Sequence, residues 1–306
     1  MGAAGLLAAV AAVTVPESAS GNSEHDKGAT VAAETVTVVA AGDLCGSACN
    51  QTAKLVSKIN PTAVITLGDN AYKKGTASEF REKYAPNWGK FRDKTYPTPG
   101  NHDYDTNDAE GYFDYFGSRA GTKGKGYYSY DLGDWHFVAL NSEISAGSGS
   151  TQEKWLRADL KTNKKPCTAA YLHRPQFSTG DHGDDSKVKP LFTALYENKA
   201  DLFLSGHDHH YERFAPSKPS GAKDTANGLR QLVVGTGGTT LRDDRNDSKA
   251  TTEKVNMKTF GVAKLTLSST GYEHEFVPVE GRTFTDKVSG KCHKASATSQ
   301  SSTATD

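Results

Sequence analysis

Short apolar runs in this 306-residue chain stop at residues that metal chemistry uses: Gly42-Asp43, Gly68-Asp69, Gly100-Asn101, Leu172-His173 and Gly206-His207. A single Gly-Asp pair after a strand is more often just a tight turn. Five such stops in one chain, two of them at histidine, point instead to donors gathered in one place. Asp, Asn and His are hard-to-borderline ligands, suited to Fe, Zn, Mn or Mg rather than to thiolate-type copper chemistry. Two cations sharing one carboxylate can clamp a phosphate. They also lower the pKa of water, so that hydroxide exists near neutral pH.

The elements that must position these donors alternate between strand-like and helix-like patterns. Thr35–Ala41, Ala63–Leu67, Thr168–Leu172 and Asp201–Leu204 read as buried strands, and 50–59, 77–90, 151–163 and 187–198 as helices. Tyr127–Leu132 and Trp135–Asn141 read as a hairpin turning at Gly133-Asp134. Further strands are expected at about 229–235, 260–267 and 271–278. Buried strands joined by helices predict an α/β protein. The hairpin-like strands predict a mixed sheet or two sheets. In open α/β sheets, ligands bind beyond the carboxyl ends of the strands, which is where the five polar stops fall.

In chain order, five blocks are Gly42-Asp43, Gly68-Asp69-Asn-Ala-Tyr72, Gly100-Asn101-His102-Asp103, Tyr171-Leu-His173-Arg-Pro175 and Gly206-His207-Asp-His209-His-Tyr-Glu-Arg213. With them the chain resembles the calcineurin-like metallophosphoesterases, and within these the purple acid phosphatase group. The resemblance implies a four-layer α/β/β/α sandwich of two mixed β-sheets flanked by helices. It implies one metal on Asp43, Tyr72 and His209, a second on Asn101, His173 and His207, and Asp69 bridging both. In the purple subgroup a tyrosinate such as Tyr72 binds Fe(III); the second ion would be Fe, Zn or Mn. Many other members carry His where this chain has Cys45, so Tyr72 would replace that ligand; the plain alternative is a packed aromatic. Larger plant-type relatives carry an N-terminal β-sandwich domain for which this sequence leaves no room. Two histidines contact substrate in that group. His182 matches the first, whereas Gly183 stands at the second, which puts a simple acid phosphatase in question.

His102 is read as standing beside the metals to orient solvent or phosphate. His182 is read as contacting phosphate or protonating the leaving group, with an exposed loop histidine as the alternative. His136 is expected to be packed, and Arg213 to pair with a nearby acid. The loop Ser178–Asp185 holds Asp181, Asp184 and Asp185, which would suit a substrate with a cationic end. Tyr112 and its aromatic neighbours Tyr104, Phe113 and Tyr115 could add cation–π contacts. The alternative is a solvated acidic turn.

The 36 basic and 36 acidic residues cancel, which excludes a bulk polycationic nucleic-acid binder. The first fifteen residues are apolar but too short to span a bilayer. They look like part of a secretory signal, with an Ala-rich buried helix as the rival. Residues 1–34 are therefore expected to be leader and N-terminal tail, 35–290 the catalytic domain, and 291–306 a flexible tail. Four cysteines fit export, and the pairs Cys45–Cys49 and Cys167–Cys292 are expected; three connectivities are possible. The expected function is a secreted, monomeric, two-metal hydrolase of small phosphoesters. It leans to glycerophosphodiesters or phospholipid head groups, because the acidic loop would repel a dianionic monoester and a diester carries one negative charge fewer; the resemblance adds that secreted bacterial members of the group include glycerophosphodiesterases. A phosphomonoesterase or nucleotidase is the alternative, and a non-catalytic metal- or phosphate-binding protein a more distant one.

Overall fold

The computed structural model describes Met1, residues 35–243 and residues 249–295. The expected leader, and the tail beyond Ala295, lie outside the described residues. The strands in chain order are β1 (Val36–Ala41), β2 (Ala63–Leu67), β3 (Thr95–Thr98), β4 (Tyr128–Leu132), β5 (Trp135–Ala139), β6 (Cys167–Tyr171) and β7 (Leu202–Ser205). They continue with β8 (Tyr211–Phe214), β9 (Arg230–Val234), β10 (Thr252–Asn256), β11 (Gly261–Leu267), β12 (Gly271–Pro278) and β13 (Asp286–Lys291). Four helices matter most: α1 (Cys49–Ile59), α2 (Glu110–Phe116), α3 (Thr151–Thr162) and α4 (Lys189–Glu197).

Two mixed sheets result. One is six-stranded in the order β13-β12-β11-β1-β2-β3, the other seven-stranded in the order β10-β8-β9-β7-β6-β5-β4. The strands that end at the polar stops lie side by side: β1 and β2 are parallel, and so are β6 and β7. Side chains on successive strand residues face opposite ways. In β5, Phe137 and Ala139 join the core shared with the first sheet, while Val138 packs with Leu156, Leu160, Leu191 and Leu195 of α3 and α4. Burial on both faces explains why β2, β5, β6 and β7 are near-continuous apolar runs. Sequence expectation and structure agree on two mixed sheets flanked by helices.

Local differences have physical causes. The helix expected over 77–90 breaks into one α turn at Ala77–Glu79, a π turn at Phe80–Tyr84 and a 3-10 stretch at Trp88–Lys94. Pro86 has no N–H to continue the ladder, and Phe80, Tyr84 and Trp88 are all drawn into the core. Both expected disulfides are present, Cys45–Cys49 and Cys167–Cys292; the second ties β6 to the residue after β13, with Cα atoms 5.1 Å apart. No described helix is long and apolar enough to cross a membrane.

Candidate metal centre

The same device appears three times at strand ends. Glycine closes the strand, and the next residue turns its backbone into the left-handed region: Asp43 (φ 57°), Asp69 (φ 51°) and His207 (φ 71°). Gly42 and Gly206 let the two sheets approach. A Cβ on Gly206 would lie 2.7 Å from Asp43 Oδ2, and one on Gly42 would lie 3.2 Å from the Gly206 Cα. That approach brings the His207 N–H to Asp43 Oδ2 at 2.9 Å. Gly68 lies under the His173 ring, where a Cβ would fall 2.5 Å from Nδ1.

The side chains named from the motif blocks converge. Tyr72 Oη stands 3.1 Å from Asp43 Oδ1, 2.8 Å from Asp69 Oδ2 and 3.2 Å from His209 Nε2. His173 Nε2 stands 3.0 Å from Asn101 Oδ1, 3.2 Å from His207 Nδ1 and 3.4 Å from Asp69 Oδ2. Asp69 therefore belongs to both sets. Atoms about 2.1 Å from one cation lie about 3.0 Å apart at a right angle and about 3.4 Å apart at a tetrahedral angle. Five of the six spacings fall in that range and the sixth, Tyr72 to Asp69, is 2.8 Å, so the residues fit two cations. Two histidines are also oriented for it: His173 Nδ1 donates to Leu67 O at 2.8 Å and His209 Nδ1 to Thr240 O at 2.9 Å. Each Nε2 is left facing the carboxylates, where a bound cation would take the place of a proton. Asp43, Asp69 and His173 form a compact ligand cluster with all three ligand atoms within 4.8 Å of one another.

The electrostatics are those of negative charge withheld from water. Burial, then Asp43 and Asp69, push the Tyr72 phenol well above its ordinary pKa. Burial pushes His173 down, but the Asp69 carboxylate outweighs it and lifts the imidazole to about 10. Burial, with the charges of His173 and Arg174, holds His207 far below its ordinary value. A bound cation reverses the sign of these effects on Tyr72, favouring the phenolate. Asp103, fully buried, accepts from Gly100 N and Asn70 Nδ2 at 2.9 Å each and joins the Asp69 and Asn101 loops. Burial, then Asp69, raises it to about 7.

A match to the family described as calcineurin-like phosphoesterase spans residues 36–211, more than half of the chain. The chain belongs to that family. This calcineurin-like phosphoesterase is 35% identical over 118 residues to purple acid phosphatase 21 of Arabidopsis thaliana, covering 37% of this chain and 26% of the relative. It is 27% identical over 192 residues to purple acid phosphatase 23 of the same plant, covering 50% of this chain and 42% of the relative. The chain thus spans less than half the length of either. Its fold matches a purple acid phosphatase from yellow lupin seeds (Lupinus luteus) with a TM-score of 0.72 and 19% identity, covering 84% of this chain and 54% of the other. The family implies metal ions at this site and a metal-dependent hydrolase.

Around the candidate centre, His102 Nε2 lies 3.9 Å from Asp69 Oδ2, and the His102 backbone N–H donates to Asp69 Oδ1 at 2.9 Å. His182 stacks on His207 with ring centroids 4.2 Å apart. Its loop is pinned from below: Asp208 accepts from His182 N at 2.9 Å, Glu212 from Thr179 N at 2.9 Å and Gln231 from Phe177 N at 3.1 Å. Two expectations need correction. Tyr112 is fully buried in α2 among Phe113 and Phe116, so it cannot meet a substrate. The acidic loop is not a free negative patch: Asp181 pairs with Arg242 at 2.7 Å, Asp184 with Lys249 at 3.1 Å and Asp185 with Arg174 at 3.7 Å.

One element escaped the sequence reading. Gly235-Thr-Gly-Gly-Thr-Thr240, directly after β9, lines the centre: Thr239 N donates to Asp43 O at 2.8 Å and Thr240 O holds His209. A Cβ on Gly235 would meet Asp208 O at 2.0 Å and Asp43 Oδ2 at 2.8 Å. Its signal was present in the sequence: a glycine-rich run after a strand, as at the other site loops.

Proposed function

We propose that this protein hydrolyses small phosphoesters with two cations held by Asp43, Tyr72 and His209 on one side, Asn101, His173 and His207 on the other, and Asp69 between them. The observation that carries this reading is the pair of donor sets sharing Asp69, each spaced at about 3 Å. Such a cation pair supplies Lewis acidity and lowers the pKa of water. The protein's own part is to hold the donors rigid from both sheets, to keep Asp43 and Asp69 away from bulk water, and to set His102 and His182 on either side. His102 meets solvent on the Asp69 side, and His182 stands over His207 at the mouth. Tyr72 favours Fe(III) at its site, with Fe, Zn or Mn at the other.

Phosphodiesters are the favoured substrates, such as glycerophosphodiesters or phospholipid head groups. The rim cations Arg174, Lys249 and Arg242 are each matched by a carboxylate, and Glu143 adds a further one against Arg174. Among the described residues the rim therefore adds no surplus positive charge for a dianionic monoester, whereas a diester carries a single charge. The names of the Arabidopsis relatives favour the second reading, a phosphomonoesterase. The two disulfides fit an oxidising, extracellular setting and the protein is read as a monomer. Metal analysis combined with a panel of matched bis- and mono-esters tests all of this. Two bound metals and faster diester turnover are expected. Equal or faster monoester turnover overturns the diester preference, and metal without turnover overturns the enzyme.

A further inference from the structure

Arg242 was not among the residues expected at the site, yet the backbone fixes it there. Thr239 N is bound to Asp43 O, Thr240 O takes His209 Nδ1, and Arg242 N donates to His209 O at 3.2 Å. The segment therefore travels with two of the donors. From this anchor the guanidinium reaches across the mouth: Nη1 donates to Asp181 Oδ2 at 2.7 Å and to His182 Nε2 at 2.8 Å. His182 lies nearly parallel to His207, at 20° between ring planes. The charge of Arg242 thus sits one imidazole ring away from the proposed ligands.

The three rim cations differ in how firmly they are held. Arg174 is forked onto Glu143 through Nε, at 2.9 and 3.0 Å, and also faces Asp185 and His207. Lys249 is a point charge on Asp184. Arg242 is held by a carboxylate that is 46% exposed, and is itself 33% exposed. An ion pair in such a setting is worth little and is readily exchanged. A guanidinium has five N–H groups in a planar fork that matches two phosphate oxygens. Because His182 Nε2 accepts from Arg242, it cannot at the same time offer a proton there, and Gly183 provides no side chain.

We propose that Arg242 is the residue that grips the substrate's phosphate at the mouth, with His182 positioning it and Asp181 as the counter-charge that the phosphate displaces. This rests on the phosphoester-hydrolase reading. It assigns Asp181 a tuning role: the carboxylate weakens the grip, which favours turnover of singly charged diesters over retention of dianionic phosphate.

The test uses the metal-loaded full chain, its Arg242→Gln, Arg242→Lys and Asp181→Asn variants, and two readouts. One is calorimetric binding of inorganic phosphate. The other is kcat and KM on bis(4-nitrophenyl) phosphate and 4-nitrophenyl phosphate. Arg242→Gln should raise the phosphate Kd and the ester KM by roughly tenfold, the scale of one charge-assisted hydrogen bond, with kcat changed far less. Arg242→Lys should recover part of the loss, since it keeps the charge but not the fork. Asp181→Asn should move the phosphate Kd in the opposite direction, to tighter binding. An unchanged Kd and KM in folded Arg242→Gln overturns the proposal, as does weaker phosphate binding by Asp181→Asn. Should Arg242→Gln fail to fold, the opposed shifts of the other two variants decide. A parent chain that cleaves neither ester but binds phosphate through Arg242 sinks the hydrolase reading alone. An active parent with indifferent variants sinks this proposal alone.

Discussion

Two buried polar clusters in this protein are built from nearly the same parts. At the candidate metal centre, Tyr72 donates among Asp43, Asp69 and His209. Behind it, Tyr211 donates to Asp286 at 2.7 Å and meets His274 Nε2 at 2.8 Å. Burial pushes both phenols well above their ordinary pKa. The difference is cationic. Arg213 forks onto Asp286 at 2.6 and 3.1 Å and reaches Glu253, which Arg230 also holds at 2.6 Å. Among the described residues no lysine or arginine pairs with Asp43 or Asp69. One cluster is complete in itself, and the other gathers carboxylates whose described ion-pair partners are histidines, groups that can give up a proton to a cation. Burial of charge does not mark a functional site; burial of charge without its counter-charge does.

That contrast can be broken by substitution. Asp69→Asn should remove metal and activity together, by more than the roughly 10–100-fold typical of residues that only support a ligand. Full activity with normal metal content would end the assignment. Arg213→Met should do the reverse, costing about 3 kcal/mol by leaving the Asp286 carboxylate without its cation, Glu253 keeping Arg230, while the folded fraction keeps its metal. Chemical denaturation alongside metal analysis reads both quantities, and loss of metal by the folded variant would erase the distinction.

The two tyrosines sharpen it further. Tyr211→Phe should cost about 1–2 kcal/mol of stability, with metal and visible spectrum intact. Tyr72→Phe should abolish any visible charge-transfer band; an unchanged spectrum would mean that Tyr72 is not a ligand.

A third cluster gives the smallest effect. His136 lies between Asp159 and Asp131, 2.8 Å from each. Burial pulls it down, but the two carboxylates prevail and raise its pKa. Because the folded value exceeds the unfolded one, the stabilisation is fully present below about pH 6.5 and fades as pH rises through the folded value. The Tm gap between the parent and His136→Gln should therefore narrow toward alkaline pH, over a span of no more than about 1 kcal/mol. A gap that widens would show that His136 is neutral in the folded protein.

What could be read in the sequence follows from how far each feature reaches. The candidate donors Asp43, Asp69, Asn101 and His207 were legible because each is set locally, by a strand, a glycine and the residue after it. Tyr112 was misjudged because nearness to Asn101 in sequence was taken as nearness in space, whereas the aromatic face of α2 points into the core. Asp181, Asp184 and Asp185 looked unopposed because their partners Arg242, Lys249 and Arg174 come from other segments. β8 and β10 went unread for the same reason. Tyr-Glu-Arg-Phe and Thr-Glu-Lys-Val-Asn look like surface until Asp286 and the neighbouring strand supply their pairs.

The meeting of Gly42 with Gly206 has a consequence in time as well as in space. The first three strands supply Asp43, Asp69, Tyr72 and Asn101, and β6, β7 and the turn beyond supply His173, His207 and His209. Neither donor set exists on one half of the chain. Under the proposed reading, capture of the ions is then a late event, following the docking of one sheet on the other, and a loaded centre certifies that the sandwich has closed.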